Sequence, residues 1–149
     1  MPYVLDGRIR SASGFGTLRR PDPAVAVTIL QSAMPPGTAV GVHSCAADVP
    51  FDLLGRAGVA FVSFDLSLVQ TRQYDALAEL VENGVQLFAG SETRPPIRSL
   101  WRNLSHPLEM LAQRVTVTPA CGLAGRSPAE ARAALARVRD VARSLEDEE

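Results

Sequence analysis

The sequence contains no lysine. All fifteen of its basic residues are arginine, against sixteen acidic ones, for a net charge of −1. So balanced a chain carries no electrostatic footprint for nucleic acid, and none is expected as a partner. With the abundance of alanine, the all-arginine usage reads as GC-rich coding rather than a functional patch. Aromatic residues make up only 5% of the chain. Two cysteines are too few for a disulfide scaffold and suit a reducing compartment. No run of about 18 apolar residues occurs, so no membrane-crossing helix is expected. The opening residues, Met1 to Arg8, lack the apolar stretch of a signal peptide. A cytoplasmic location is the expectation.

What is present is a globular composition, 46% apolar over 149 residues. That length supports one domain with a real core. The domain is expected to fill 1–149, with 1–17 an irregular lead-in and 146–149 a frayed acidic tail.

Units of strand followed by helix recur along the chain. Ala39 to His43 is a short apolar strand. A helix follows, with Asp48 as its expected N-cap, Pro50 in its first turn and Gly58 past its end. Val59 to Asp65 is the second strand. Thr71 is the expected cap of a helix over 72–82, stopped by Asn83-Gly84. Val85 to Ala89 is the third strand. Arg94-Pro95-Pro96 reads as a loop leading to a helix near Pro107 to Gln113. Val115 to Thr118 is the fourth strand. Ser127-Pro128-Ala129-Glu130 is a capping box that opens the last helix, which runs through Ala133, Leu135, Val138 and Val141. Ahead of the first strand, Asp22-Pro23 opens one more helix.

Strands apolar on both faces and alternating with helices argue for an α/β fold with a parallel sheet. Four such units make either a small open sheet or half of a (β/α) barrel, whose full form has eight strands and about 250 residues. In either architecture chemistry belongs at the carboxyl ends of the strands.

Three metal-ligand residue types fall at those ends. His43 and Cys45 are two apart, so on a strand they share a face. Cys121 follows the fourth strand in Thr118-Pro119-Ala120-Cys121-Gly122-Leu123. Asp65 closes the second strand, where a carboxylate is costly to bury unless paired or bound to a metal. Two thiolates, one imidazole and one carboxylate make a tetrahedral zinc shell. The plainer readings are small buried cysteines and an aspartate that caps a helix or pairs with arginine. Ser67, two residues past Asp65, is a candidate substrate contact. Gly14-x-Gly16 lacks the preceding strand of a phosphate loop. His106 reads as a cap or surface residue. Trp101 reads as a packing residue of the loop after the third strand, and Arg132, Arg137, Arg139 and Arg143 as a solvated face.

The ordered set His43-x-Cys45, Asp65 and Ala120-Cys121-Gly122-Leu123 resembles the C-terminal barrel of cobalamin-independent methionine synthase. The resemblance runs from about Gly7 to Leu145. It implies the last four units of an eight-stranded barrel, with Zn²⁺ held by His43, Cys45, Asp65 and Cys121. It also implies a thiol substrate of the homocysteine type, taken up as a thiolate that attacks a folate-borne methyl group. The family has Glu where this chain has Asp65. The family's histidine linked to protonating the folate leaving group is matched here to Ala89. The family's first half-barrel is not in this sequence. The expected partners are therefore a second copy of the chain or a separately encoded first half, with Val42, Val115 and Val117 pointing into the barrel. A non-catalytic fragment and a uroporphyrinogen-decarboxylase-like barrel fragment are the alternatives.

Overall fold

The computed structural model describes residues 2–5 and 7–146. Four strands form one all-parallel sheet in sequential order: β1 (Gly41–Ser44), β2 (Phe61–Asp65), β3 (Gln86–Gly90) and β4 (Val115–Thr118). The helices are α1 (Pro2–Leu5), α2 (Pro23–Ser32), α3 (Phe51–Ala57), α4 (Tyr74–Glu82), α5 (Arg94–Leu104), α6 (Leu108–Arg114) and α7 (Pro128–Glu146). Sequential parallel order with helical crossovers is the topology of a partial (β/α) barrel. No helix among the described residues is long and apolar enough to cross a membrane.

Strand alternation divides the sheet into two unlike faces. Val62 aligns with Leu87 and Val115, and Phe64 with Ala89 and Val117. These residues join Leu54, Leu77, Leu80, Ile97, Leu100, Leu104 and Leu111 in the core between sheet and helices. Truncating any of the fully buried leucines to alanine should cost about 2–5 kcal/mol. The other face carries His43, Ser63, Phe88 and Thr116 in one row, and Asp65, Gly90 and Thr118 in the next. Gly41 makes room on that face for the Phe61 ring, which packs 5.2 Å from Phe88. Val42, Val115 and Val117 thus pack on the helix side and not into the barrel. The period of two settles this once the register is fixed by His43 and Ser63.

Several local expectations change for physical reasons. Asp48 does not cap α3: its φ is 60° and its carboxylate accepts from Arg8, Gln70 and Arg72. Charged partners from two other loops outcompete the helix's own amides for it. The N-cap position falls to Pro50, while Gly58 does end the helix at φ 80°. Thr71 opens a 3₁₀ turn rather than α4. Its neighbour Gln73 accepts from the Gln70 amide and donates to the Val49 carbonyl.

The loop expected at 94–96 is the first turn of α5, where proline needs no amide partner and its fixed φ is already helical. Ile97, Leu100 and Leu104 face the core from it, and half-buried Trp101 packs beside them. In α7 the capping box forms as expected, Ser127 and Glu130 bonding reciprocally. The buried stripe is Ala134, Val138 and Val141, whereas Leu135 is 52% exposed. The lead-in includes the α1 turn and an antiparallel bridge between Arg10 and Thr17. Of the expected acidic tail, Glu146 closes α7 and 147–149 lie outside the described residues.

Candidate metal centre

His43 is the third residue of β1, and Cys45 follows the strand's last residue. Cys121 lies three residues past β4, on the loop that leads to α7. Sequential strand order sets β1 and β4 at opposite edges of the sheet. Even so, the potential donor atoms of His43, Cys45 and Cys121 all lie within 4.8 Å of one another, and all three residues are exposed. The two sulfurs are 3.3 Å apart. The Cys45 thiol is pushed above its ordinary pKa, first by its hydrogen bond and charge interaction with Cys121, then by desolvation and the nearby Asp65 charge.

Two neutral thiols and an imidazole so close together have little to offer each other. With their protons lost, the thiols would repel. A divalent cation resolves both problems, and the soft sulfur and borderline nitrogen donors suit zinc. Ser63 lies opposite His43 in the register, and its hydroxyl is 2.9 Å from His43 Nδ1. Such a partner fixes the ring of a metal-binding histidine. Nothing in the linear sequence singled out Ser63; only the pairing of β1 with β2 shows it.

Asp65 stands apart from the three clustered donors. Its Oδ1 accepts from the Ser67 amide at 2.9 Å and the Ser67 hydroxyl at 2.6 Å, which caps the 3₁₀ turn over 66–68. Ser67, the expected substrate contact, is thereby engaged with Asp65. Ala89 is fully buried on the helix side of β3, so its side chain faces away from the centre. The site-facing residue at that strand end is Gly90, aligned with Thr118.

His43, Ser63, Phe88, Thr118, Pro119, Cys121 and Gly122 line a cavity of about 410 Å³. Thr118 Oγ1 is buried and, among the described residues, has no hydrogen-bond partner. A larger cavity, about 530 Å³, lies elsewhere, beside the β4 edge among Trp101, Leu108, Val117, Val138 and Leu145. It holds none of the clustered donors.

Arginine pairs fasten the loops around the centre. Asp48, three residues past Cys45, receives Arg8 and Arg72. Glu92, two past β3, receives Arg126 at 2.6 Å and Arg137 Nε at 2.9 Å. Arg137 lies on the solvated face, as expected, and is ion-paired there. His106 Nε2 sits 3.3 Å from the Ala78 carbonyl, away from the centre.

A parallel (β/α) unit with imidazole and thiols gathered at its strand ends belongs to the barrel proteins that work at that end. The family described as cobalamin-independent synthase, catalytic domain, matches residues 21–144. The chain belongs to that family and is a methionine-synthase-like domain. No curated protein and no solved structure gives a significant match.

Proposed function

We propose that this domain holds Zn²⁺ through His43, Cys45 and Cys121, with Asp65 as fourth donor, and prepares a small thiol of the homocysteine type for methyl transfer. The observation that carries the reading is the meeting of His43, Cys45 and Cys121 within 4.8 Å from sequence-distant loops. When bound, zinc supplies the charge that keeps a thiol ionised at neutral pH. The chain's own residues do the remainder. Ser63 orients the His43 ring. Phe88 and Pro119 wall the cavity with apolar surface against which a thiol's alkyl chain packs. In the reaction the substrate sulfur forms a bond to the methyl carbon as the donor's bond to that carbon breaks. A cytoplasmic setting, where thiols stay reduced, suits this chemistry. Purified protein should carry about one zinc per chain. Metal-free protein that takes up no zinc at micromolar concentration would defeat the reading. The family match favours it over a uroporphyrinogen-decarboxylase-like fragment.

A second reading concerns completion of the barrel. Among the described residues β1 and β4 each have a strand on one side only. The apolar cavity beside β4 and the half-buried Phe61–Phe88 pair are surfaces a further strand-and-helix layer would cover. We propose a second copy, or a separate chain with the first four units, as their occupant. Ultracentrifugation should then show a dimer or a requirement for that partner. A cooperatively unfolding monomer would instead describe a self-sufficient open sheet.

A further inference from the structure

The end of β3 contributes no donor to the centre, yet three consecutive residues there hold the loop that carries Cys121. A Cβ on Gly90 would lie 2.5 Å from Ala120 Cα and 2.6 Å from the Phe64 carbonyl oxygen. Both contacts are with backbone, so no side-chain rotation relieves them. Ala120 directly precedes Cys121. The backbone before the cysteine therefore rests on the space that a side chain at residue 90 would fill. Next along the chain, the Ser91 amide donates to the Thr118 carbonyl at 2.8 Å, extending the β3–β4 ladder past the strands. Then Glu92 bonds Arg126, on the far side of Cys121, and Arg137 of α7. The loop is thus held before Cys121 by close backbone packing and after it by an ion pair.

We propose that Gly90-Ser91-Glu92 is the seat that positions Cys121 against Cys45. These are positioning residues, since none touches the sulfurs. As a device for a metal centre the seat rests on the zinc reading; as a device that sets the distance between two thiols it does not.

The thiols themselves provide a metal-free ruler. The chelator-treated 149-residue chain is exposed, dilute, to diamide. The two thiols give up two protons and two electrons to the azo bond, which becomes a hydrazine, and an S–S bond forms between Cys45 and Cys121. Mass spectrometry of the unreduced protein follows closure. Wild type should close rapidly and within one chain. Gly90→Ala should close at least ~10-fold more slowly, because a displacement near 1 Å can cost up to ~10²-fold in reactions between positioned groups. Glu92→Gln and Arg126→Gln, which break the ion pair without displacing backbone, should slow closure less. Leu80→Ala, a core truncation on α4, should leave the rate near wild type even though it lowers stability. Closure of Glu92→Gln and Arg126→Gln at the wild-type rate overturns the proposal, whether or not Gly90→Ala folds. So does slowing by Leu80→Ala to the same degree, which would mean general softness.

Co²⁺ loading of the same variants separates the seat from the metal. Wild type should show a thiolate-to-cobalt absorption band, and Gly90→Ala should lose the share that Cys121 contributes. If the ruler behaves as stated and wild type shows no cobalt band, the seat stands and the zinc reading falls.

Discussion

Cys45 Sγ and Cys121 Sγ lie 3.3 Å apart across 76 residues of sequence. Their closeness raises the pKa of Cys45, so the centre holds protons that a metal must displace. Zinc uptake should therefore release protons, and affinity should fall as pH drops from 8 to 6. Competition titrations with a chromophoric chelator measure this directly. Cys45→Ala and Cys121→Ala should each abolish tight binding. A pH-independent affinity, or a cysteine variant that binds as wild type does, would place the metal elsewhere.

Asp65 separates two roles in one substitution. As a donor, Asp65→Asn should weaken zinc binding by about 10–100-fold, the range found when partners of a metal site are lost. As the cap of the 66–68 turn alone, Asp65→Asn should cost little stability, because asparagine caps about as well as aspartate, and should leave zinc affinity unchanged. Ser67→Ala gives the comparison. It frees the Asp65 carboxylate from one hydrogen bond, so zinc affinity should hold or rise under the first reading. Calorimetry and metal titration on both variants decide between the roles.

The sequence alone made the strand-end chemistry legible, because His43, Cys45 and Cys121 each follow a short apolar run. The fourth strand and the last helix's start were equally readable. Val115-Thr116-Val117-Thr118 has strong β-branched character, and Ser127-Pro128-x-Glu130 satisfies its own amides locally. What stayed hidden depends on partners far along the chain. Asp48 looks like a helix cap until Arg8 and Arg72 arrive from other loops. Pro95-Pro96 reads as a break unless the amphipathic run Ile97, Leu100, Leu104 is weighed with it. The third strand ends one residue later than its apolar run suggests. That single residue moves the site-facing position from Ala89 to Gly90, since neighbouring residues face opposite ways.

Protonation of the loop carboxylates should loosen the centre's surroundings. The Glu92 carboxyl is held below its ordinary value of 4.5, chiefly by the Arg126 hydrogen bond and then by Arg137. Asp48 is likewise lowered, first by Arg8. A carboxyl with a lower pKa in the folded state binds fewer protons there than in the unfolded state. Its contribution is complete above the ordinary carboxylate range and is lost as pH falls through the lower, folded-state value. Both ion pairs are exposed to solvent, so the effect is modest and screened by salt. Thermal melts from pH 7 to 3 should show a steeper loss of Tm for wild type than for the Asp48→Asn, Glu92→Gln double variant. Parallel profiles would show that these pairs contribute nothing to stability.

What stands at the end of β3 gives a prediction about the methyl donor. A folate leaving group needs a proton as it departs, and general acid catalysis is worth about 10²–10⁴-fold. At the site-facing position this chain has Gly90, without a side chain. The histidine lining the cavity, His43, is committed to the proposed metal. Methyl transfer from methylfolate to homocysteine by this domain should therefore be very slow or absent. A sulfonium donor releases a neutral thioether and needs no proton, so its reaction should not suffer from the missing acid. Introducing a histidine at the site-facing position by Gly90→His should not produce methylfolate turnover. The Ala120 backbone occupies the space where the Cβ would go, so the new side chain would displace the Cys121 loop. The assay compares methionine formation from the two donors with zinc-loaded wild type and Gly90→His. Robust methylfolate turnover by wild type would show that another group supplies the proton. Methylfolate turnover gained by Gly90→His would show that the Cys121 loop can shift without losing the centre.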